Sequence, residues 1–407
     1  MTQTLLPTGL RFRTVAEDEL RGANDIFRAA MHNKPASDDF WASLRGAYIV
    51  DRTFGAFDGD RQVGTAMSFP SSLTVPGGAI LPAAAVTFVG VRSDYRRRGA
   101  LTGMMRAQLQ DCVARGEVFA VLHASEPVIY GRFGYGLSTL TRTVRVRSPR
   151  AALRPEVPVA GTVRLVDKDE VVPALRSAYP ALQRARTGQL GRPEQYWVLG
   201  YQRRLDHEYM LVAAHFAATG EVDGWVMYEP TKSGDPLAGD DLAVLDFQAV
   251  DQGVANDLWR HLLGVDLIDT ITAYHRPADD PIEEMLVDSS AARSERDDEL
   301  WVRLVDVPAA LAGRTYGPAD PVVIEVVDPL LPSNSGRYRI GPQGTERTAA
   351  APALTMTVDV LGMLYLGAHP PANLAAIGRI AVADAAALPA ADRLFAVDRP
   401  AWTGTIF

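Results

Sequence analysis

Residues 85–109 constrain this chain more than any other segment. The run AVTFVGV (85–91) is almost wholly apolar, the pattern of a strand buried on both faces. A basic turn follows, Asp94-Tyr95-Arg96-Arg97-Arg98-Gly99-Ala100. The next residues have helical spacing, with Leu101, Met104, Met105, Leu109, Cys112 and Val113 on one face and Arg115-Gly116 as the stop. The first turn of a helix has unpaired N–H groups and the positive end of the helix dipole, so it attracts an anion. Gly99 lets a ligand approach the backbone, and three guanidinium groups can fork onto phosphate oxygens. Strand, basic turn and helix in this order predict a pyrophosphate site. A merely solvated basic turn is the plainer reading, and the order of the elements argues against it. There is no GxxxxGK[ST] loop, so this is not a Walker A site.

Around this segment strands and helices alternate. Leu10 to Val15 reads as a strand, and Glu17 to Met31 as an amphipathic helix with Leu20, Ala23, Ile26, Phe27 and Ala30 on its apolar face. AYIV (47–50), FGAF (54–57) and VGTAMSF (63–69) read as strands, with turns at FDGD (57–60) and VPGG (75–78). VFAVLHA (118–124) is a further strand, IYGRFGYG (129–136) a short helix or turn, and LTRTVRVR (140–147) a half-exposed strand. The Pro- and Ala-rich stretch 148–162 reads as a linker. Beyond it, LDFQAVDQGVANDLWRHLL (245–263) repeats the strand–turn–helix order of 86–109, with Asp251-Gln252-Gly253 in place of the arginines. An acidic turn repels pyrophosphate, so no coenzyme is expected there. ARSERDDEL (292–300) reads as a charged boundary. VVIEVV (322–327), YRI (338–340), the apolar run TMTVDVLGMLYL (355–366) and an Ala-rich helix through 383–388 follow. Three units are expected, 1–150, 151–295 and 296–407.

Charge and cysteine content narrow the function. With 41 Lys plus Arg against 49 Asp plus Glu the formal charge is −8, which disfavours a nucleic-acid backbone and suits a cationic substrate. The single cysteine, Cys112, falls on the buried helix face and reads as inert packing; it excludes an intrachain disulfide and a multi-cysteine zinc site. The seven histidines are scattered without an HExxH, so no metal is expected. No GxSxG elbow or dinucleotide fingerprint is present. No signal peptide or membrane span is expected, and the anticipated location is cytoplasmic.

At this point a resemblance becomes specific. VTFVGVRSDYRRRGALTGMM (86–105) with LHASEPVIYGRFGYG (122–136) resembles the enhanced-intracellular-survival (Eis) branch of the GCN5-related N-acetyltransferases of actinobacteria. Arg96-Arg97-Arg98-Gly99-Ala100-Leu101 matches the Arg/Gln-x-x-Gly-x-Gly/Ala motif except at Leu101, where this branch carries a branched or leucyl side chain. The resemblance implies an α/β (α+β) fold with two tandem acetyltransferase-like domains, the second degenerate, and a C-terminal sterol-carrier-protein-like domain. It implies acetyl-CoA as cosubstrate and no metal. The backbone of Phe88, Val89 and Val91 would bind the pantetheine arm and thioester carbonyl. Arg96, Arg97, Arg98, Gly99 and Ala100 would hold the pyrophosphate, with Ser125 near the thioester end. Tyr130 would be the general acid and the C-terminal carboxylate of Phe407 the base. Read from its residues alone, the apolar tail with Trp402, Ile406 and Phe407 would simply pack on a core. The resemblance further implies a homohexamer and acceptors that are primary amines of a polycationic small molecule, aminoglycoside-like and acetylated at several positions. Protein lysines and polyamines are alternative acceptors. A non-enzymatic lipid carrier is the other class, and the intact strand–RRRG–helix segment argues against it.

Several residues keep two readings on sequence. Tyr135 rivals Tyr130 within the same turn, and either tyrosine could serve only to pack. His123 could be a base or a structural histidine with satisfied ring nitrogens. Glu126 could steer a cation, act as a base through water or cap the next turn. Asp38, Asp39 and Trp41 could wall a polyamine site, or form a solvated loop with Trp41 turned inward.

Overall fold

The computed structural model describes residues 9–233 and 239–407. The first sheet contains β1 (Arg11–Thr14), β2 (Thr53–Asp58), β3 (Arg61–Thr74), β4 (Ile80–Val91), β5 (Phe119–Leu122) and β6 (Gly136–Leu137). The strands β1 to β4 pair antiparallel in sequence order, and β5 joins β4 parallel. Its helices are α1 (Leu20–Ala30), α2 (Asp38–Arg45) and α3 (Ala100–Ala114). On α1, Leu20, Ala23, Asn24 and Ile26 are buried, the stripe its periodicity predicts. On α3, Gly103 faces inward because a Cβ there would lie 2.1 Å from the Phe12 ring. Val113, expected on the buried face, is 50% exposed.

The strand expected at 47–50 does not form. Ala47 and Tyr48 are buried in a turn, and Val50–Arg52 is a single 3₁₀ turn. The Tyr48 hydroxyl accepts from Asn24 Nδ2 (2.9 Å), and its ring stacks on Phe88 at 4.8 Å. These apolar residues pack instead of pairing, which a short window of sequence does not distinguish.

The second sheet contains β7 (Leu140–Arg147), β8 (Thr162–Leu165), β9 (Leu211–Phe216), β10 (Val222–Thr231), β11 (Asp240–Ala249), β12 (Ile268–Pro277) and β13 (Ala292–Asp298). Its order is β8-β9-β10-β11-β12-β7-β13, with β11 and β12 parallel. That of the first is β1-β2-β3-β4-β5, then β14 (Trp301–Leu304), then β6. The two sheets correspond strand for strand and exchange one. β7 leaves the first half of the chain to sit beside β12, and β14 returns to sit beside β5. The stretch 292–300, read as a boundary, is largely β13, an edge strand paired with β7. Its charges remain exposed and discourage pairing with another edge.

The third sheet is β17 (Gly344–Arg347), β16 (Gly336–Gly341), β15 (Val322–Val327), β18 (Leu354–Thr357) and β19 (Ala381–Val382), in that spatial order. The apolar run at 355–366 is divided between β18 and the helix Val358–Tyr365. One apolar core runs from Phe69 and Phe119 through Leu304 to Leu361 and Phe395, so the third unit is fused to the first sheet. A buried ion pair reinforces the junction: Arg303 of β14 donates to Asp328 at 2.8 and 2.7 Å.

Candidate active site

The gap between β4 and β5 comes from unequal length. The two strands pair only from Ala83↔Phe119 to Ala85↔Val121; β5 then ends at Leu122 while β4 continues to Val91. Against β3 the pairs Thr65↔Gly90 and Met67↔Thr87 leave Phe88 and Val89 opposite Ala66 alone, a bulge in which Phe88 has φ +52°. Phe88, Val89 and Val91 therefore border a stretch of cleft with no strand on the β5 side. Thr87, Phe88 and Val89 are half-buried there, not buried on both faces as their composition predicts, because β5 has already ended.

At the far end of the cleft the chain turns into α3. A 3₁₀ turn at Ser93–Tyr95 is held by the Tyr95 hydroxyl donating to Asp58 Oδ2 (2.7 Å). Arg97 (φ +60°) and Gly99 (φ +82°) both adopt left-handed backbone; Gly99 is the N-cap, and no side chain caps the helix. Ala100 is buried as its first residue. Arg96, Arg97 and Arg98 are exposed and form no ion pair among the described residues; Arg98 lies over the Tyr95 ring at 4.9 Å. An uncapped helix start beside three unpaired cations fits the pyrophosphate of a coenzyme.

The other end of the cleft carries titratable groups. Tyr130 is 7% exposed among Val86, Met105, Leu109 and Leu122, and its ring meets Tyr135 edge-on at 6.0 Å. Burial, and then the charge of Glu126, push its phenol up to about 12. Tyr135 is sealed at 1% exposure, and its hydroxyl has no partner among the described residues. Ser125 and Glu126 are exposed, and the Glu126 side chain does not cap the next turn. Burial raises the Cys112 thiol well above its ordinary value, so it stays protonated. Along one wall Phe27, Phe88, Tyr48 and Trp41 form a column with ring spacings of 5.0, 4.8 and 5.4 Å. Asp38 and Asp39 begin α2 rather than lying in a loop, and Asp38 pairs with Arg21 (2.7 Å).

The tail brings in residues that the sequence reading left out. Trp402 Nε1 donates to the His275 carbonyl (2.7 Å) in β12. The Gly404 carbonyl accepts from Gln248 Nε2 (2.9 Å) and Arg192 Nη2 (3.2 Å). Arg192 Nε also donates to Thr405 Oγ1 (3.1 Å). Arg192 is itself buried, bonded to Asp246 at 2.7 and 3.1 Å, with Tyr179 and Tyr196 each 4.5 Å from its guanidinium. Glu299 accepts from the Thr403 N–H (3.1 Å) and the Gly404 N–H (2.9 Å). His123 Nε2 donates to the Thr405 carbonyl (2.9 Å), and burial pushes its imidazole down to about 4. His123 is therefore neutral at ordinary pH. Phe407 then packs edge-on against Phe69 (5.5 Å) and His123 (5.0 Å). These partners are scattered from 123 to 299 and share no motif, so only the folded chain reveals them as a set.

An open parallel cleft with an uncapped helix start, followed by a second sheet of the same order, defines a tandem acetyltransferase of the GCN5-related class. Residues 11–138 and 188–304 each match an acetyltransferase (GNAT) domain family, and residues 307–404 match the sterol carrier protein domain family. An uncharacterized N-acetyltransferase of Streptomyces coelicolor is 38% identical, over 87% of this chain and 89% of its own. N-acetyltransferase Eis of Mycobacterium tuberculosis is 34% identical, over 92% and 93% respectively. The crystal structure of Eis1 from Mycobacterium abscessus superposes with a TM-score of 0.86 at 34% identity, covering 98% of this chain and 100% of that one. The chain belongs to the Eis family of acetyl-CoA-dependent N-acetyltransferases. Among the described residues no helix is long and apolar enough to cross a membrane, and no group of three or more His, Cys, Asp or Glu could hold a metal ion.

Proposed function

We propose that the chain acetylates primary amines of a polycationic small molecule, aminoglycoside-like and at more than one position, by direct attack within a ternary complex. The observation that carries this reading is the tail, which ends with Phe407 against Phe69 and His123 at the end of β5. In this reading the backbone of Phe88, Val89 and Val91 binds the pantetheine arm. Arg96, Arg97, Arg98, Gly99 and Ala100 hold the pyrophosphate, and Ser125 stands near the thioester end. Bound acetyl-CoA supplies a thioester carbon open to attack and a sulfur able to leave.

The protein's own groups then handle two protons. A lysine-type amine has a reference pKa of about 10.4 and is mostly protonated at neutral pH. The carboxylate of Phe407 takes its proton, directly or through water. The Tyr130 phenol, raised to about 12, keeps its proton through neutral pH and gives it to the departing sulfur. His123, neutral and bonded to Thr405, holds the tail and does not serve as the base. The formal charge of −8 and the exposed carboxylates of Asp39 and Glu126 favour a polycation. The unit at 1–150 performs the transfer, 151–295 walls the cleft and grips the tail, and 296–407 delivers it. By resemblance the assembly is a homohexamer.

Thiol release from acetyl-CoA, measured with aminoglycosides, polyamines and a lysine peptide, tests this reading. The expected result is turnover on aminoglycosides with more than one acetyl per molecule by mass spectrometry. Turnover confined to polyamines or the peptide would overturn the acceptor class. Bound lipid without turnover on any amine would favour the carrier reading.

A further inference from the structure

Glu299 is 2% exposed and lies where the two exchanged connections cross. The β6–β7 connection passes through Ser138 and Thr139, and the β13–β14 connection through Glu299 and Leu300. They bond to each other: Ser138 N to Leu300 O (2.8 Å), Glu299 N to Thr139 O (3.2 Å) and Leu300 N to Thr139 Oγ1 (3.0 Å). The Glu299 side chain adds Thr139 Oγ1 as a donor at 2.8 Å and, as described, the Thr403 and Gly404 amides. Among the described residues it is the sole carboxylate bonded to the tail after Ala401, and it has no ion-pair partner. A buried carboxylate is costly unless hydrogen-bonded. Two of the three donors that satisfy this one belong to the tail.

We propose that Glu299 is a positioning residue for acetyl transfer, clamping the Thr403 and Gly404 N–H groups so that Phe407 is held at the end of β5. The proposal rests on the reading of the Phe407 carboxylate as the base. Gly404 and Phe407 are three residues apart, a reach of at most about 11 Å in extended chain. With the His123 bond to Thr405 added, little slack is left. The clamp works as a carboxylate: protonated, it would turn one accepting oxygen into a donor, where N–H groups already point inward. The charged and titratable groups around it are Arg186, whose charge favours ionisation, and His123, neutral and packed against its backbone carbonyl. Thr139 and the two amides supply the bonds. Burial outweighs them and lifts the Glu299 carboxyl to about 7.

The experiment compares the full-length chain with Glu299→Gln. Release of Phe407 by a carboxypeptidase reports the tail without using activity. Acetyl-CoA turnover with an amine reports transfer. The expected result is at least tenfold faster Phe407 release, a roughly tenfold lower kcat, and an unchanged KM for acetyl-CoA. In the wild type the acidic limb of kcat lies near pH 7, and Thr139→Val moves it upward by removing a donor to the ionised carboxylate. Unchanged Phe407 release in Glu299→Gln, or an acidic limb that Thr139→Val leaves in place, overturns the proposal. Deleting Phe407 from the wild type separates the two ideas. If that deletion spares kcat, the base reading fails, while accelerated tail release in Glu299→Gln still supports the clamp.

Discussion

The two acetyltransferase-like sheets share one strand order and put their parallel clefts to different uses. In the first, the helix after β4 begins at Gly99 with no side-chain cap, and three arginines without an ion-pair partner among the described residues precede it. In the second, the helix Gln252–Leu263 after β11 begins at Asp251, whose carboxylate accepts from Val254 N at 3.0 Å. The second helix start already holds its own anion. The second cleft is bridged as well. Arg276 reaches across it to the Phe247 carbonyl (3.1 Å), and Gln248 and His275 on its two walls bond the tail. One cleft stays open for a coenzyme while the other grips the C-terminal segment. The duplicated fold thus keeps its frame while the turn that starts the helix differs between the copies.

The sharpest way to break this comparison is to remove what the second cleft delivers. Deleting Ile406 and Phe407 should lower kcat by about 10²-fold or more, the usual scale for losing a general base, while equilibrium acetyl-CoA binding is unchanged. Unaltered turnover would reduce the gripped tail to packing.

Tyr130→Phe comes next. It removes a phenol of the first cleft that burial holds protonated while leaving it partly accessible, and kcat should fall by about 10²-fold at constant coenzyme affinity. If kcat is spared, the proton comes from elsewhere.

Gly99→Asp imports the second cleft's own device into the first. An aspartate at this N-cap meets both the left-handed backbone (φ +82°) and the phosphate position. Acetyl-CoA affinity by calorimetry should fall by roughly tenfold or more, since a like charge then faces the pyrophosphate. The reciprocal change, Asp251→Ala, should cost about 1 kcal/mol of stability through loss of the cap. It should still leave one acetyl-CoA per chain; a second equivalent would mean that the cap alone had closed the second site.

The smallest effect is the pH dependence of stability. The Glu299 carboxyl is higher in the folded chain, at about 7, than its reference value of about 4.3. Between those values the folded state binds the extra proton, so this group's contribution falls as pH rises and is lowest above 7. Wild-type stability minus that of Glu299→Gln should decline across that window in denaturant titrations. A flat difference would mean that Glu299 titrates normally.

Much of the first site was legible because it is local. The segment from Val86 to Leu109 contains strand, turn and helix in one continuous stretch, and the arginines and Gly99 mark its turn as a candidate anion site. The resemblance supplied Tyr130 and Phe407 as candidates, and the acidic turn at Asp251 marked where the second copy departs from the first. Other readings needed the fold. AYIV at 47–50 has the composition of a strand and packs as a turn, and ARSERDDEL has the charge of a domain boundary and pairs as an edge strand. In both cases neighbours distant in sequence, Phe88 and β7, decided the outcome.

By itself the sequence determined the strand, basic turn and helix that edge the first cleft, because helix propensity, backbone freedom and charge act within a few residues of one another. It also placed an acidic residue, Asp251, at the second turn. The tertiary structure alone decided that β7 and β14 change places, that their crossing buries Glu299, and that the tail runs from the second cleft to Phe69 and His123. The physical reason is distance along the chain. Hydrogen bonds between residues 139, 299 and 404 leave no periodicity or spacing in a sequence, and form only once two sheets have been assembled around them.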